Sequence, residues 1–211
     1  MPKKPPGRGD HLRSAIAQEA ARLMAEHGIH DYLTAKRKAA ERFGVSDAAV
    51  LPKNTEVEEA LHAHHRLFGG PQHERTLLQQ REGAIDAMEL LGDFQPRLVG
   101  PVLTGSATEH DDIQLHVFSD PAESVYILLM DRHVPHEVVE RRVKVQADRT
   151  VAVPGLRFEV GTHRVEALVF PRDGIRQAPV SPVDGRPMRR ADIGEVHRLI
   201  AEAPIDALAQ E

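Results

Sequence analysis

The sequence predicts an α+β fold in which a mixed β-sheet core carries an N-terminal helical annex and a C-terminal helix. Three observations predict it. Up to about Leu91, apolar residues recur three and four apart, the period of an amphipathic helix. Beyond Gln95–Pro96 they fall instead into short runs with turn residues between them. The 211 residues, 41% apolar and 28% charged, are enough for one ordinary domain with a real core and too apolar for a disordered chain. Aromatics are only 4% with no Trp, so that core is aliphatic.

The elements follow in order. Residues 1–9, rich in Pro, Gly and Lys, read as a disordered tail. Asp10 opens a helix with Leu12, Ile16, Leu23 and Met24 on one stripe and Gly28 as its stop. Asp31 caps a second, carrying Leu33, Ala40 and Phe43 and ending at Gly44. Asn54 caps a third with Glu56, Glu58 and Glu59 in its first turn, where the helix dipole favours carboxylates; its stripe is Val57, Leu61 and Phe68. The fourth spans about 74–91, with Leu77, Leu78, Ile85, Met88 and Leu91 together. Five strands are expected at 98–103, 113–118, 138–145, 156–160 and 165–170, with a helix over 121–132 between the second and third. Gly161-Thr162 joins the last two as a hairpin, and a Pro-rich passage leads to a final helix at 191–203. The organisation is therefore tail 1–9, helical region 10–95, sheet core 96–175, and connection plus helix 176–211.

Composition excludes several functions. Without Cys there are no disulfides, thiolate metal sites, iron–sulfur clusters or Cys nucleophiles. A net charge of −5 argues against a generic nucleic-acid coat. No apolar run approaches the roughly 18 residues of a membrane span, and the N-terminus has no signal-peptide core, so no membrane and a cytoplasmic location are the expectation. P-loop, dinucleotide-binding and nucleophile-elbow motifs are missing.

One segment carries a pattern with chemistry in it: residues 98–118, LVGPVLTGSATEHDDIQLHVF. An apolar strand runs into Gly105-Ser106, whose backbone N–H groups and hydroxyl suit a phosphate. After a short polar stretch, Asp112 opens a second apolar strand, where a carboxylate suits a divalent cation. This order resembles the nucleotidyltransferase (polymerase-beta-like) superfamily, in which Gly-Ser is followed by an Asp-x-Asp or Asp-x-Glu pair and a third acid on a later strand. The resemblance covers about 98–170 and includes the order strand, strand, helix and three strands. It implies metal-dependent transfer of a nucleoside monophosphate from an NTP to a hydroxyl acceptor of unspecified kind. Gly105 and Ser106 would bind phosphate, while Asp112 and Glu166 would hold Mg²⁺ or Mn²⁺ as the catalytic carboxylates.

The sequence departs from that pattern at the second acid, where Gln114 stands. The interval from Ser106 to Asp112 is also short. Alternate strand residues share a face, so Asp112, Gln114 and His116 point together. An amide in place of a carboxylate weakens Mg²⁺ binding, and His116 would favour a softer metal or form a hydrogen bond. His110 and Asp111, inside the motif loop, are further candidates for phosphate or metal contact. A catalytically degenerate nucleotide-binding or protein-interaction module of the same fold is the alternative.

Other features have plainer readings. His62 and His65 share a helix face but lack the Glu of a zinc motif, so they read as a solvated surface. Lys36-Arg37-Lys38 and Arg42 make a basic run. The first 53 residues hold ten Lys or Arg against six acids, an asymmetry that would present this half to nucleic acid, the third reading. Arg186, Arg189 and Arg190 would meet triphosphate oxygens if the C-terminal passage folds back onto the motif.

Overall fold

A computed structural model of the chain describes residues 8–45, 47–146 and 148–203. Chain contacts divide it into two compact units, Met1–Gly70 and Pro71–Glu211. The division falls before the fourth helix, where the sequence pattern placed it at residue 95. The reason is burial: that helix's apolar face belongs to the sheet's core, not to the first three helices.

The first unit is helical. Helices α1 (Arg8–His27), α2 (Tyr32–Arg42) and α3 (Asn54–His64) enclose a core of small and aliphatic side chains, including Ile16, Ala20, Leu23, Ala35, Ala39, Val57 and Leu61. Helix α1 starts at Arg8, so Gly9 of the expected tail is helical; residues 1–7 of that tail lie outside the described residues. Asp31 caps α2 as expected, its carboxylate accepting from the Thr34 N–H at 2.8 Å. At the start of α3 the Lys53 N–H donates to the Glu56 carboxylate at 2.7 Å, so Asn54 is the first helical residue rather than the cap. Phe68 departs from its expected burial and is 74% exposed. The chain widens into a π-turn at His65–Gly69, which carries the stripe out of register.

The second unit holds a five-stranded mixed sheet in the order β1-β2-β5-β4-β3. Its strands are β1 (Arg97–Val99), β2 (Ile113–Phe118), β3 (His136–Gln146), β4 (Arg149–Val160) and β5 (His163–Phe170). Strands β2 and β5 are parallel, and the other neighbours are antiparallel. One face carries Ile113, Leu115, Val117, Val165, Ala167, Val169, Leu156 and Phe158. It packs on helices α4 (Gly70–Leu90), α5 (Gly100–Thr104), α6 (Glu123–Asp131) and α7 (Ile193–Ala201) through residues such as Met88, Leu103, Leu129 and Val196.

Two elements differ from expectation. Strand β1 stops at Val99 because Gly100 takes a positive φ of 71° and Pro101 starts the turn of helix α5. A side chain at Gly100 would also collide with the Gln114 amide. Strand β4 is much longer than 156–160, its first half pairing only with the edge strand β3. Pro154, which reads as a strand breaker, sits in that half opposite Glu140. Among the described residues no helix is long and apolar enough to cross a membrane.

Candidate functional site

The sheet's second face, away from the helices, brings the motif residues together. Register pairs Gln114 of β2 with Glu166 of β5, and Glu166 with Arg157 of β4. Alternation then puts Gln114, Glu166 and Arg157 on one face. Asp112 immediately precedes β2. The two carboxylates singled out in the sequence, 54 positions apart, meet in one charged cluster linked through Arg157.

That cluster is dominated by arginines. Arg141 of β3 makes a bidentate pair with Glu166, its Nε 2.9 Å from Oε1 and an Nη 2.5 Å from Oε2. Arg157 adds a third bond to Glu166 Oε2 at 2.9 Å and lies 3.6 Å from Asp112 Oδ2. Arg164 of β5 brings its Nε within 3.0 Å of Asp112 Oδ1. Burial would raise the Glu166 carboxyl, but the Arg141 and Arg157 guanidiniums outweigh it and hold the group below the ordinary carboxylate range. Glu166 in turn stabilises the charge on Arg141. Glu166 is therefore ionised, and both carboxyl groups are already engaged by guanidiniums.

Gly105 and Ser106 occupy a different place from the strand end that the sequence predicts. They follow the last turn of α5, with Gly105 in the left-handed conformation at φ 87°. Both of their N–H groups donate to the Pro101 carbonyl, at 2.8 and 3.1 Å. Ser106 is buried, its hydroxyl 3.0 Å from that of Thr104. Gln114 lies against Gly100, at the opposite end of this helix. The Gly-Ser amides thus close a helix.

The remaining motif residues divide by role. Asp111 accepts from the Thr108 N–H and hydroxyl, each at 2.8 Å, and so staples the loop before β2. Gln80 of α4, buried, ties the same loop down by donating to the Thr108 carbonyl at 2.7 Å. His110 contributes its backbone carbonyl, which accepts from Arg164 at 3.3 Å, while its ring is exposed beside Glu109.

His116 shares the face of Gln114 but is buried beneath the C-terminal passage. Its Nδ1 accepts from Arg190 Nε at 3.0 Å, which leaves the proton on Nε2, and its ring lies 4.6 Å from that of Phe170. Burial, reinforced by the Arg190 charge, pushes its pKa down to about 3. Arg190 also covers the Phe118 and Phe170 rings and donates to the carbonyls of Gly174 and Ile175. The C-terminal basic cluster does fold back on β2, through Arg190 alone; Arg189 pairs with Glu195. Of the N-terminal basic run, Lys36 bonds the Pro52 carbonyl and Asn54, and Arg42 bonds Glu19, leaving Arg37 and Lys38 on the surface.

A divalent cation asks for several oxygens converging at about 2.0–2.6 Å. Here the two acids face three guanidiniums, and an amide stands opposite Glu166 in register. No group of three His, Asp or Glu side chains suited to a metal occurs among the described residues. The side chains as they stand fit arginine rather than Mg²⁺ or Mn²⁺. Residues that sequence reasoning missed are therefore Arg141, Arg157 and Arg164. Compared with protein-family models, curated proteins and solved structures, the chain matches none of them.

Proposed function

We propose that the second unit is a nucleotide-binding module of nucleotidyltransferase-like fold that has given up transfer chemistry. The motif order Gly105-Ser106, Asp112, Gln114 and Glu166, together with the pairing of β2 beside β5, supports the kinship. The observation that carries the loss of transfer is the engagement of Asp112 and Glu166 by Arg141, Arg157 and Arg164. Phosphoryl transfer depends on positioning and on cations that neutralise developing charge. A pair of carboxylates committed to guanidiniums, with an amide where the family has its second acid, lacks the negative charge to recruit those cations.

The test is a screen of the four labelled NTPs with the full chain in Mg²⁺ and in Mn²⁺, measuring binding, pyrophosphate release and self-labelling. Binding without pyrophosphate release is the expected result. Release that disappears in Asp112→Asn and Glu166→Gln would return the protein to the active transferases, with those carboxylates as the metal ligands.

A further inference from the structure

We infer that this face recognises the phosphate groups of its ligand without a metal ion, through Arg141, Arg157 and Arg164, and that Asp112 and Glu166 are positioning residues for those arginines. The inference rests on the nucleotide-binding reading and specifies how that binding works.

The relative exposure of the charged groups points this way. Three guanidiniums face two carboxylates that are largely buried, Asp112 at 21% and Glu166 at 14% side-chain exposure. Two further acids stand at the rim: Glu137, 3.9 Å from Arg157 and 70% exposed, and Glu159, opposite Arg164 in register and exposed. The arginine side chains are the accessible members, at 43% for Arg141, 36% for Arg157 and 57% for Arg164.

Donor geometry agrees. A guanidinium carries five N–H donors in a rigid fork. Arg141 spends Nε and one Nη on Glu166, and Arg164 directs Nε to Asp112 and one Nη to the His110 carbonyl. The other Nη of each makes no hydrogen bond among the described residues, leaving donors to offer a phosphate. The three arginines come from three adjacent strands, β3, β4 and β5, so the sheet fixes their spacing. A carboxylate behind each guanidinium then sets its direction, the arrangement that bidentate phosphate recognition needs.

The experiment titrates the full chain with ATP, and separately with inorganic tripolyphosphate and with adenosine, in EDTA and in excess Mg²⁺. Expected are ATP affinities within about threefold of each other in the two buffers, competition by tripolyphosphate, and no competition by adenosine. Arg164→Gln, chosen because its side chain is mostly exposed, should weaken ATP by about tenfold or more while leaving the circular dichroism spectrum unchanged. Arg164→Lys should recover only part of that loss, since it restores charge without the fork. Glu166→Gln should also weaken ATP in EDTA, a readout that a metal-ligand role would not move.

ATP binding abolished by EDTA would overturn the inference and leave the nucleotide-binding reading standing. Competition by adenosine but not by tripolyphosphate would overturn it too. No ATP binding in either buffer would remove both.

Discussion

Lowering the pH should unfold the second unit partly through one side chain, His116. In the native state it is neutral, with a pKa depressed to about 3 by burial and by Arg190. In the unfolded chain it takes a proton near pH 6.5. Below that pH the unfolded state binds more protons than the folded one, so stability falls as pH falls. The slope from this group is about 1.4 kcal/mol per pH unit, continuing down to the native pKa. Between pH 6.5 and 4.5 it amounts to roughly 2–3 kcal/mol, a large share of a typical domain's stability. Carboxylates such as Glu166, held below the ordinary range, add their own loss as pH falls further, so the informative quantity is a difference. His116→Gln removes the titration and keeps an oxygen to accept from Arg190. Urea unfolding of both proteins at half-unit steps should give curves that diverge toward acid, the wild type losing roughly 2 kcal/mol more by pH 4.5. Parallel curves would show that His116 is not held neutral in the fold, and the placement of Arg190 over it would fall as well.

Three smaller perturbations test the scaffold. Gly155→Ala would put a Cβ 2.7 Å from both the Ala167 carbonyl oxygen and Leu168 Cδ2, and should cost about 1–3 kcal/mol in chemical denaturation. Asp31→Ala removes the α2 cap and should cost about 1 kcal/mol, read from the first unit's helical signal on thermal melting. Phe68→Ser, at an exposed site, should change stability by less than about 0.5 kcal/mol, whereas Leu61→Ser in the buried stripe should unfold the first unit; equal effects on melting would contradict the π-turn.

The sequence made the sheet's centre legible because its strands are buried on one face and strongly apolar. Residues 113–118 form β2 as expected, and Glu166 falls on the neighbouring strand. What escaped was governed by weaker local signals. Residues 149–155 are half-exposed and contain Pro154 and Gly155, so their strand character comes from pairing with β3. The run 98–103 is apolar enough for a strand, but Gly100 and Pro101 turn it into a helix. At the site, the acids were visible and their partners were not, because strand register decides which arginines face Glu166. One signal was available: Arg157 and Glu159 alternate with Leu156, Phe158 and Val160, so the period of two puts them on the face away from the core, the same kind of face on which Glu166 alternates with Val165 and Ala167.

Gln114 provides the sharpest discrimination between a weakened metal site and an arginine-held anion site. It stands opposite Glu166 and against Gly100. If the acids were poised for metal and lacked only this charge, Gln114→Glu alone would create tight Mn²⁺ binding. With Arg141 and Arg157 bonded to Glu166, the new carboxylate instead meets those guanidiniums and pairs with them. Gln114→Glu should therefore leave Mn²⁺ affinity within about threefold of the wild type and should weaken tripolyphosphate binding, because it competes for the guanidinium donors and repels the anion. Adding Arg141→Gln to it releases Glu166 from its bidentate partner, and only this double variant should gain Mn²⁺ affinity, by about tenfold or more. Electron paramagnetic resonance of free Mn²⁺ during titration measures both. A tenfold gain in the single variant would mean that Asp112 and Glu166 are available to a cation in the native protein, and the arginines would then be movable covers over a metal site.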